Sequence, residues 1–340
     1  MDNIYLPSGY VDVEKLLAPK IFSKVFFIGP RGSGKSYGIL KSLTVEHNEP
    51  GFYIRTSKIE LENLFDPELF PWGDLNQDLN LQYTIKKRNK DLAMVTPNAE
   101  SDQIICLCAA LSTISHIRGM NASKYKWIFY DEFIGEAHVR KMRRQGEAVK
   151  QMFETLNRNR ELKGEEPMRL ILAANSNDIN NDVLVEYGLI DEVIKMREKD
   201  IEIKDFPDRR LRIVYPMHSP ISALKAQTAG YKGETGSYND MALGNQFVSF
   251  YDGNIKSLNL KDFIPICRIG ALGIYRSKST KKIYISSFLE SRFPDTFEMT
   301  DYELARFRLK YHKLQIAYYK QKICFESAAL EIKFINLWNK

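Results

Sequence analysis

Near-continuous apolar runs of four to seven residues recur through the first half of the chain: Lys24–Ile28, Gly51–Arg55, Gln103–Cys108, Trp127–Tyr130 and Met168–Ala174. Runs this short that do not alternate with polar residues fit strands covered on both faces, the situation in a parallel sheet. Between them lie segments with helical texture: Tyr37–Leu43, Ile59–Phe65, and a stretch whose Ala148, Met152, Phe153 and Leu156 share one face at a period of three to four. Leu81–Ile85 and Leu92–Val95 flank the basic tip Lys86–Lys90 as a hairpin-like pair. Ahead of all this, residues 1–23 form an amphipathic lead-in whose Val11, Val13, Leu16 and Leu17 should pack on the strands and helices downstream. Strand–helix alternation predicts a doubly wound α/β domain over residues 1–200.

Beyond residue 200 the pattern changes. Residues 201–245 mix Arg209, Arg210 and Arg212 with Pro, Gly and Ser, and read as a connecting region with little core of its own. Residues 246–340 form a small β-rich α+β domain, with strands expected at Gln246–Tyr251, Phe263–Ile269, Leu272–Tyr275 and Ile283–Ser287. Ser277–Lys282 is the turn joining the last two. A helix over Asp301–Lys322 should dock Leu304, Phe307, Tyr311, Leu314 and Tyr318 on that sheet.

The length of 340 residues suits two domains, and 44% hydrophobic residues with 12% aromatics describe a globular chain. A net charge of +6 permits a polyanionic partner without demanding one. Four cysteines, Cys106, Cys108, Cys267 and Cys324, lack metal-ligand spacing and read as reduced thiols; the five histidines are scattered, so no zinc site is expected. No apolar leader and no 18-residue apolar window occur, so neither a signal peptide nor a membrane span is expected.

The chemistry gathers at strand ends. Directly after Lys24–Ile28 comes Gly29-Pro30-Arg31-Gly32-Ser33-Gly34-Lys35-Ser36-Tyr37, which fits the phosphate-binding loop pattern at Gly29, Gly34, Lys35 and Ser36. Glycines allow backbone N–H groups to close on phosphate oxygens at a helix N-terminus; Lys35 would reach the outer phosphates of ATP, and Ser36 would hold Mg²⁺. Trp127–Tyr130 ends in Asp131 and Glu132. Asp131 suits the metal side, and Glu132 suits the base that orients and deprotonates water. Asn175 closes a further strand, where it can bond the attacking water or sense the terminal phosphate.

Other candidates keep two readings. Lys58 is either a solvated surface lysine or a functional side chain at a strand exit. Arg158 and Arg160 close a helix, where cations complement the dipole, yet either would serve as an arginine finger offered to a neighbouring subunit. Arg118 precedes Gly119 in the polar stretch Ser112–Asn121, and Arg140-Lys141-Met142-Arg143-Arg144 packs four cations into five residues.

Gly29–Ser36 with arginine at the third loop position, Tyr130–Ile134, Arg158–Glu161 and Asn175 together resemble the genome-packaging ATPases of small protein-primed tailed phages, members of the additional-strand, catalytic-glutamate branch of P-loop motors. The resemblance continues weakly through Asp240–Phe247. It implies a ring, typically pentameric, on the portal of an empty capsid, driving double-stranded DNA inward in the cytoplasm of an infected bacterial host. It also implies roles: Lys35 and Ser36 bind nucleotide and Mg²⁺, Asp131 is the metal-side acid, Glu132 the catalytic base, Asn175 the coupling residue, and Lys58 a pore lysine touching DNA. Arg158 matches the trans-acting finger, and Arg118 stands where the family has a trans-acting lysine. The second domain would be a degenerate RNase H-like nuclease fold, inactive because Phe263–Ile269 and Leu272–Tyr275 lack acids, that binds DNA, the portal or a structural packaging RNA. Rival readings are another P-loop DNA motor, such as a helicase or remodelling ATPase, and an ATP-binding switch or scaffold without productive turnover.

Overall fold

A computed structural model describes residues 3–136, 141–247 and 254–338. The chain divides into two compact units, Met1–Tyr187 with Val193–Ser249, and Gly188–Glu192 with Phe250–Lys340.

The first unit is built on nine strands: β1 (Lys24–Ile28), β2 (Gly51–Arg55), β3 (Thr84–Lys87), β4 (Leu92–Thr96), β5 (Cys106–Ala110), β6 (Trp127–Asp131), β7 (Arg169–Ala174), β8 (Ile203–Phe206) and β9 (Leu211–Val214). Their order is β3-β4-β5-β2-β6-β7-β1-β9-β8. The strands from β5 to β9 run parallel, and antiparallel β3-β4 and β8 close the two edges. The apolar runs do become strands covered on both faces: Val25–Ile28, Phe52, Ile54 and Trp127–Tyr130 are inaccessible to solvent. The lead-in docks as expected, with Val11, Val13, Leu16 and Leu17 in the same core as Val25, Phe27 and Ile39. Helix Gln145–Asn157 buries Val149, Met152 and Leu156, while Ala148 and Phe153 sit at the edge of that stripe.

The expectation of a connector at 201–245 is corrected. Its first part supplies β8 and β9, and β9 pairs directly with β1. Arg212 hid this strand, because a basic residue in a Pro- and Gly-containing stretch looks like a loop. In the sheet its guanidinium makes a two-pronged pair with Asp205, 2.7 and 2.8 Å, and lies 4.5 Å over the Phe22 ring, so the charge is matched and its stem is buried. At the other end of the segment, Asn245 donates to the carbonyls of Ile28 (2.7 Å) and Pro216 (2.8 Å), fastening it beside the exit of β1. Of the strand expected at Gln246–Tyr251, Gln246 and Phe247 are not in a strand, and residues 248–251 lie outside the described residues.

The second unit carries β10 (Asn254–Ile255), β11 (Phe263–Ile269), β12 (Leu272–Ser277), β13 (Ile283–Ser286), β14 (Thr296–Phe297) and β15 (Ile323–Phe325), ordered β10-β15-β13-β12-β11-β14. β11, β12 and β13 form an antiparallel meander, and the remaining pairings are parallel. Its helix runs Asp301–Tyr319, shorter than the Asp301–Lys322 expected, and is bent at Tyr311 (φ −112°, ψ 23°). The chain turns at Gln321, in the left-handed region, to enter β15. Leu304, Phe307 and Leu314 are buried on the sheet, and Tyr311 and Tyr318 flank them.

Gly51 and Trp127 face each other across β2 and β6, and a methyl group on Gly51 would stand 2.0 Å from an indole carbon. Gly51→Ala is therefore expected to destabilise the first unit by about 1–3 kcal/mol, an overpacking cost. Urea unfolding should show a lower midpoint at unchanged slope, and Trp127→Leu in the same chain should restore part of it.

Candidate nucleotide-binding and catalytic site

Parallel register brings the critical strand ends to one edge. Ile28 lies beside Ala174, Asp131 beside Ala173, and Ile54 beside Tyr130. Gly29, Asn175, Glu132 and Arg55 consequently leave the sheet side by side.

The loop from Gly29 to Ser36 has Gly32 at φ +74° and Gly34 at φ +82°, backbone positions that glycine adopts without strain. Gly34 caps the helix Lys35–Lys41. Gly29 has room for no side chain: a Cβ there would stand 2.9 Å from Lys35 Cδ. Inside, Ser33 Oγ donates to the Pro30 carbonyl at 3.0 Å. The Lys35 ammonium folds back on its own loop, donating to the carbonyls of Gly29 (3.1 Å) and Pro30 (2.7 Å) and to Asn175 Oδ1 (3.1 Å). Burial pushes its pKa down to about 7, against the opposing pull of Asp131. The hydrogen-bond partners of this buried cation are all neutral oxygens, which an anionic oxygen would replace with a stronger, charge-assisted bond.

Asp131 is buried and accepts from Ser36 Oγ at 2.9 Å, from the adjacent Glu132 N–H at 3.1 Å and from Tyr53 OH at 3.1 Å. Burial raises its pKa, and the Arg55 charge works against that rise. A hydroxyl and a carboxylate oxygen this close form the hard, oxygen-only donor pair that Mg²⁺ takes. Glu132 adopts φ +54°, a strained conformation for a residue with a side chain. The strain separates two demands: Glu132 stays half exposed at the sheet edge, while Phe133 turns back into the core and donates to Ala173 O at 3.2 Å. The Glu132 carboxylate is ion-paired with Arg55, which also stands 3.5 Å from Glu60 and 4.0 Å from Asp131.

A cavity of about 260 Å³ is lined by Arg31 through Tyr37, Asp131, Glu132, Ala174 and Asn175. The sequence-assigned residues Arg31, Gly32, Ser33, Gly34, Lys35, Ser36, Tyr37, Asp131, Glu132 and Asn175 thus meet at one place. Gly29 and Pro30 do not line it; their carbonyls hold the Lys35 ammonium beside it. A second cavity, about 600 Å³, shares Glu132 and Asn175 and continues past Arg55, Lys141, Gln145 and Asn177.

Lys58, Arg118 and Arg158 line neither cavity. Lys58 opens the helix Lys58–Asn63, capped by Ser57, and is exposed beside Ile59. Arg158 and Arg118 share another face: Arg158 donates to Met120 O at 2.8 Å, and Arg118 to Gln151 of the helix that Arg158 caps, at 3.4 Å. Arg158 has φ +50° and ψ −138° and is exposed; Arg160 is buried, donating to the carbonyls of Ala122, Ser123 and Tyr125 at 2.6–3.0 Å. Arg160 therefore holds its loop together, and Arg158 is the solvent-exposed one of the two, bonded to Met120 O. In the basic run beyond the acids, Arg140 lies outside the described residues.

Sequence reading missed Arg55, Tyr53 and Gln145. Arg55 carried a usable signal, since it too is a polar residue ending an apolar strand. Gln145, which donates to Phe133 O at 2.9 Å, carried none.

No protein-family model matches the chain, and no curated protein matches it either. Solved structures do. The phi-28 gp11 DNA packaging motor is 15% identical, matched over 94% of this chain and 95% of that one, with a TM-score of 0.62. The bacteriophage phi-29 viral genome packaging motor assembly is 17% identical over 97% and 98%, with a TM-score of 0.64. Over nearly its whole length, the chain has the fold of these phage DNA-packaging motors.

Proposed function

We propose that the protein is an ATP-driven motor that moves double-stranded viral DNA into a preformed capsid, hydrolysing ATP at the subunit interfaces of a ring. The observation that carries the reading is Glu132, held in a strained backbone at the rim of a cavity that also contains Lys35, Ser36 and Asp131. A phosphate-binding loop alone binds; a carboxylate base beside it hydrolyses.

Within that reading, loop N–H groups and Lys35 hold the phosphates, and Ser36 and Asp131 would hold Mg²⁺. When bound, the ion supplies charge neutralisation at the phosphates. Glu132 takes a proton from water once it leaves Arg55, and Asn175, bonded to Lys35, couples the occupied site to β7. Arg158 and Arg118 serve the neighbouring subunit's site, supported by their common exposed face away from their own cavity. Lys58 contacts DNA. The second unit binds DNA, portal or a structural packaging RNA without cutting, since β11 and β12 carry no carboxylate. The ring is read as a pentamer attached to the procapsid in the host cytoplasm.

The test is ATP turnover by the purified protein without DNA, with single strands and with blunt duplex at fixed salt. Stimulation by duplex without strand separation is expected, weakening as salt rises; equal rates in all three would sink the translocase reading.

Glu132→Gln should bind ATP yet lose turnover by at least about 100-fold, checked by binding and phosphate release on one preparation. Arg158→Ala should bind nucleotide normally and hydrolyse about 10³-fold more slowly or worse, with activity recovered when it is mixed with Glu132→Gln subunits. The pKa of Lys35 near 7 gives a pH signature. Polyphosphate stabilises the ammonium and raises that pKa, so binding is full below pH 7 and weakens above it, by up to about tenfold per pH unit. Calorimetry with pyrophosphate in buffers of different ionisation enthalpy should show proton uptake near neutral pH, absent in Lys35→Ala.

A further inference from the structure

Residues 216–247, read from sequence as connector up to 245 and as the start of the second domain beyond it, reach over the phosphate-binding loop. Asn245 fastens one end of the segment to the carbonyl of Ile28, and Ser219 Oγ bonds Gly9 O at 3.3 Å near the other. Between these anchors the segment touches the tip of the loop twice. Tyr238 OH accepts from Arg31 Nη1 at 3.3 Å, and the Lys225 ammonium donates to the Arg31 carbonyl. Lys225 lies so close that a Cβ on Gly32 would stand 3.0 Å from its nitrogen.

Where it stands this lysine has only neutral partners, the Arg31 carbonyl and the face of the Tyr231 ring 5.2 Å away. It is half-buried, at the end of helix Pro220–Lys225, and makes no ion pair among the described residues. Burial lowers its pKa, and the like charge of Arg31 lowers it further. Lys225 in turn depresses Lys35. Three cations, Arg31, Lys35 and Lys225, therefore converge on one loop, and the partner of Arg31, Glu136, stands 3.7 Å away and half exposed. Burial works against Arg31, yet Tyr238, Glu136 and Glu132 raise its pKa, so the cost of the gathering falls on Lys35 and Lys225, and an anion of several charges would relieve it.

We propose that Lys225 is a second phosphate-binding cation of the nucleotide site, supplied from outside the phosphate-binding loop, so that nucleotide fastens the 216–247 segment down onto it. The proposal rests on the nucleotide-site reading above and adds a residue that the loop pattern does not contain. In the free protein Lys225 spends its hydrogen bond on a neutral carbonyl; a phosphate oxygen offers a charge-assisted bond in its place.

The test compares a fluorescent ATP analogue and its ADP counterpart on wild type, Lys225→Met, Lys225→Arg and Lys35→Ala, with amide hydrogen exchange over residues 216–247 measured with and without nucleotide. Lys225→Met is expected to weaken ATP binding at least about tenfold, the order of one lost charge-assisted bond, while Lys225→Arg stays within about threefold of wild type. Nucleotide should slow exchange over 216–247 in wild type and in Lys225→Arg but not in Lys225→Met. The proposal is overturned if Lys225→Met binds as tightly as wild type while Lys35→Ala has lost binding. Equal weakening in the Met and Arg variants would also overturn it, because charge would then not be what binds. Wild type and Lys35→Ala binding alike would remove the nucleotide site itself, and the proposal with it.

Discussion

The hydrogen-bond register of β2, β6, β7 and β1 is the constraint on which the site depends. A strand advances about 3.3 Å per residue and alternates its faces, so a slip of one position would carry Asp131 or Asn175 away from Lys35 and turn it to the opposite side. Strands buried on both faces have no polar side to fix that register. Here specific fits appear instead: Gly51 leaves room for Trp127, whose indole N–H bonds Glu49 O at 2.7 Å, and Asn157 holds Met168 N–H at 2.8 Å at the start of β7. The chemistry at one end of the sheet is set by packing at the other.

Given that register, the site is a problem in balancing charge. Asp131 and Glu132 are consecutive acids, and two like charges about 4 Å apart repel by roughly 4 kcal/mol at an effective dielectric of 20. Arg55 stands between them and Lys35 faces Asp131, so the free site is closed on itself: lysine on carbonyls, serine on aspartate, glutamate on arginine. On the proposed reading, phosphate would replace the carbonyls on Lys35 and a metal ion would take the Ser36–Asp131 bond, while Glu132 would exchange Arg55 for water. The strained backbone at Glu132 keeps its carboxylate at the cavity while Phe133 anchors the turn, an arrangement in which the carboxylate can change partner without moving the core.

Charge is unevenly distributed along the chain. Residues 246–340 hold 16 Lys and Arg against 9 Asp and Glu, so the positive excess of the whole protein resides there, and the preceding part is close to neutral. Exposed Lys278, Lys281 and Lys282 surround the β12–β13 turn, next to Lys261 and Lys322 in the strand connections. The modest overall charge conceals this local excess, which is the charge pattern that the proposed polyanion binding would use.

Several features were legible in the sequence because they are local. The phosphate-binding loop, the acid pair after β6, the strand–helix alternation and the hairpin at β12–β13 each arise from a few consecutive residues with one physical reading. Contacts between distant segments were not legible. Nothing in the sequence indicates that Arg55 meets Glu132, that Arg160 serves the fold while Arg158 is left exposed, or that Lys225 arrives at Arg31 from 194 residues away. The same limit explains why 201–215 looked like a connector: Arg212 is a poor strand residue alone and a good one only when Asp205 and Phe22 surround it. Sequence alone establishes which chemical groups exist and which turn presents them. Their partners are assigned by tertiary structure, because partnership depends on register and burial, which no short window of residues contains.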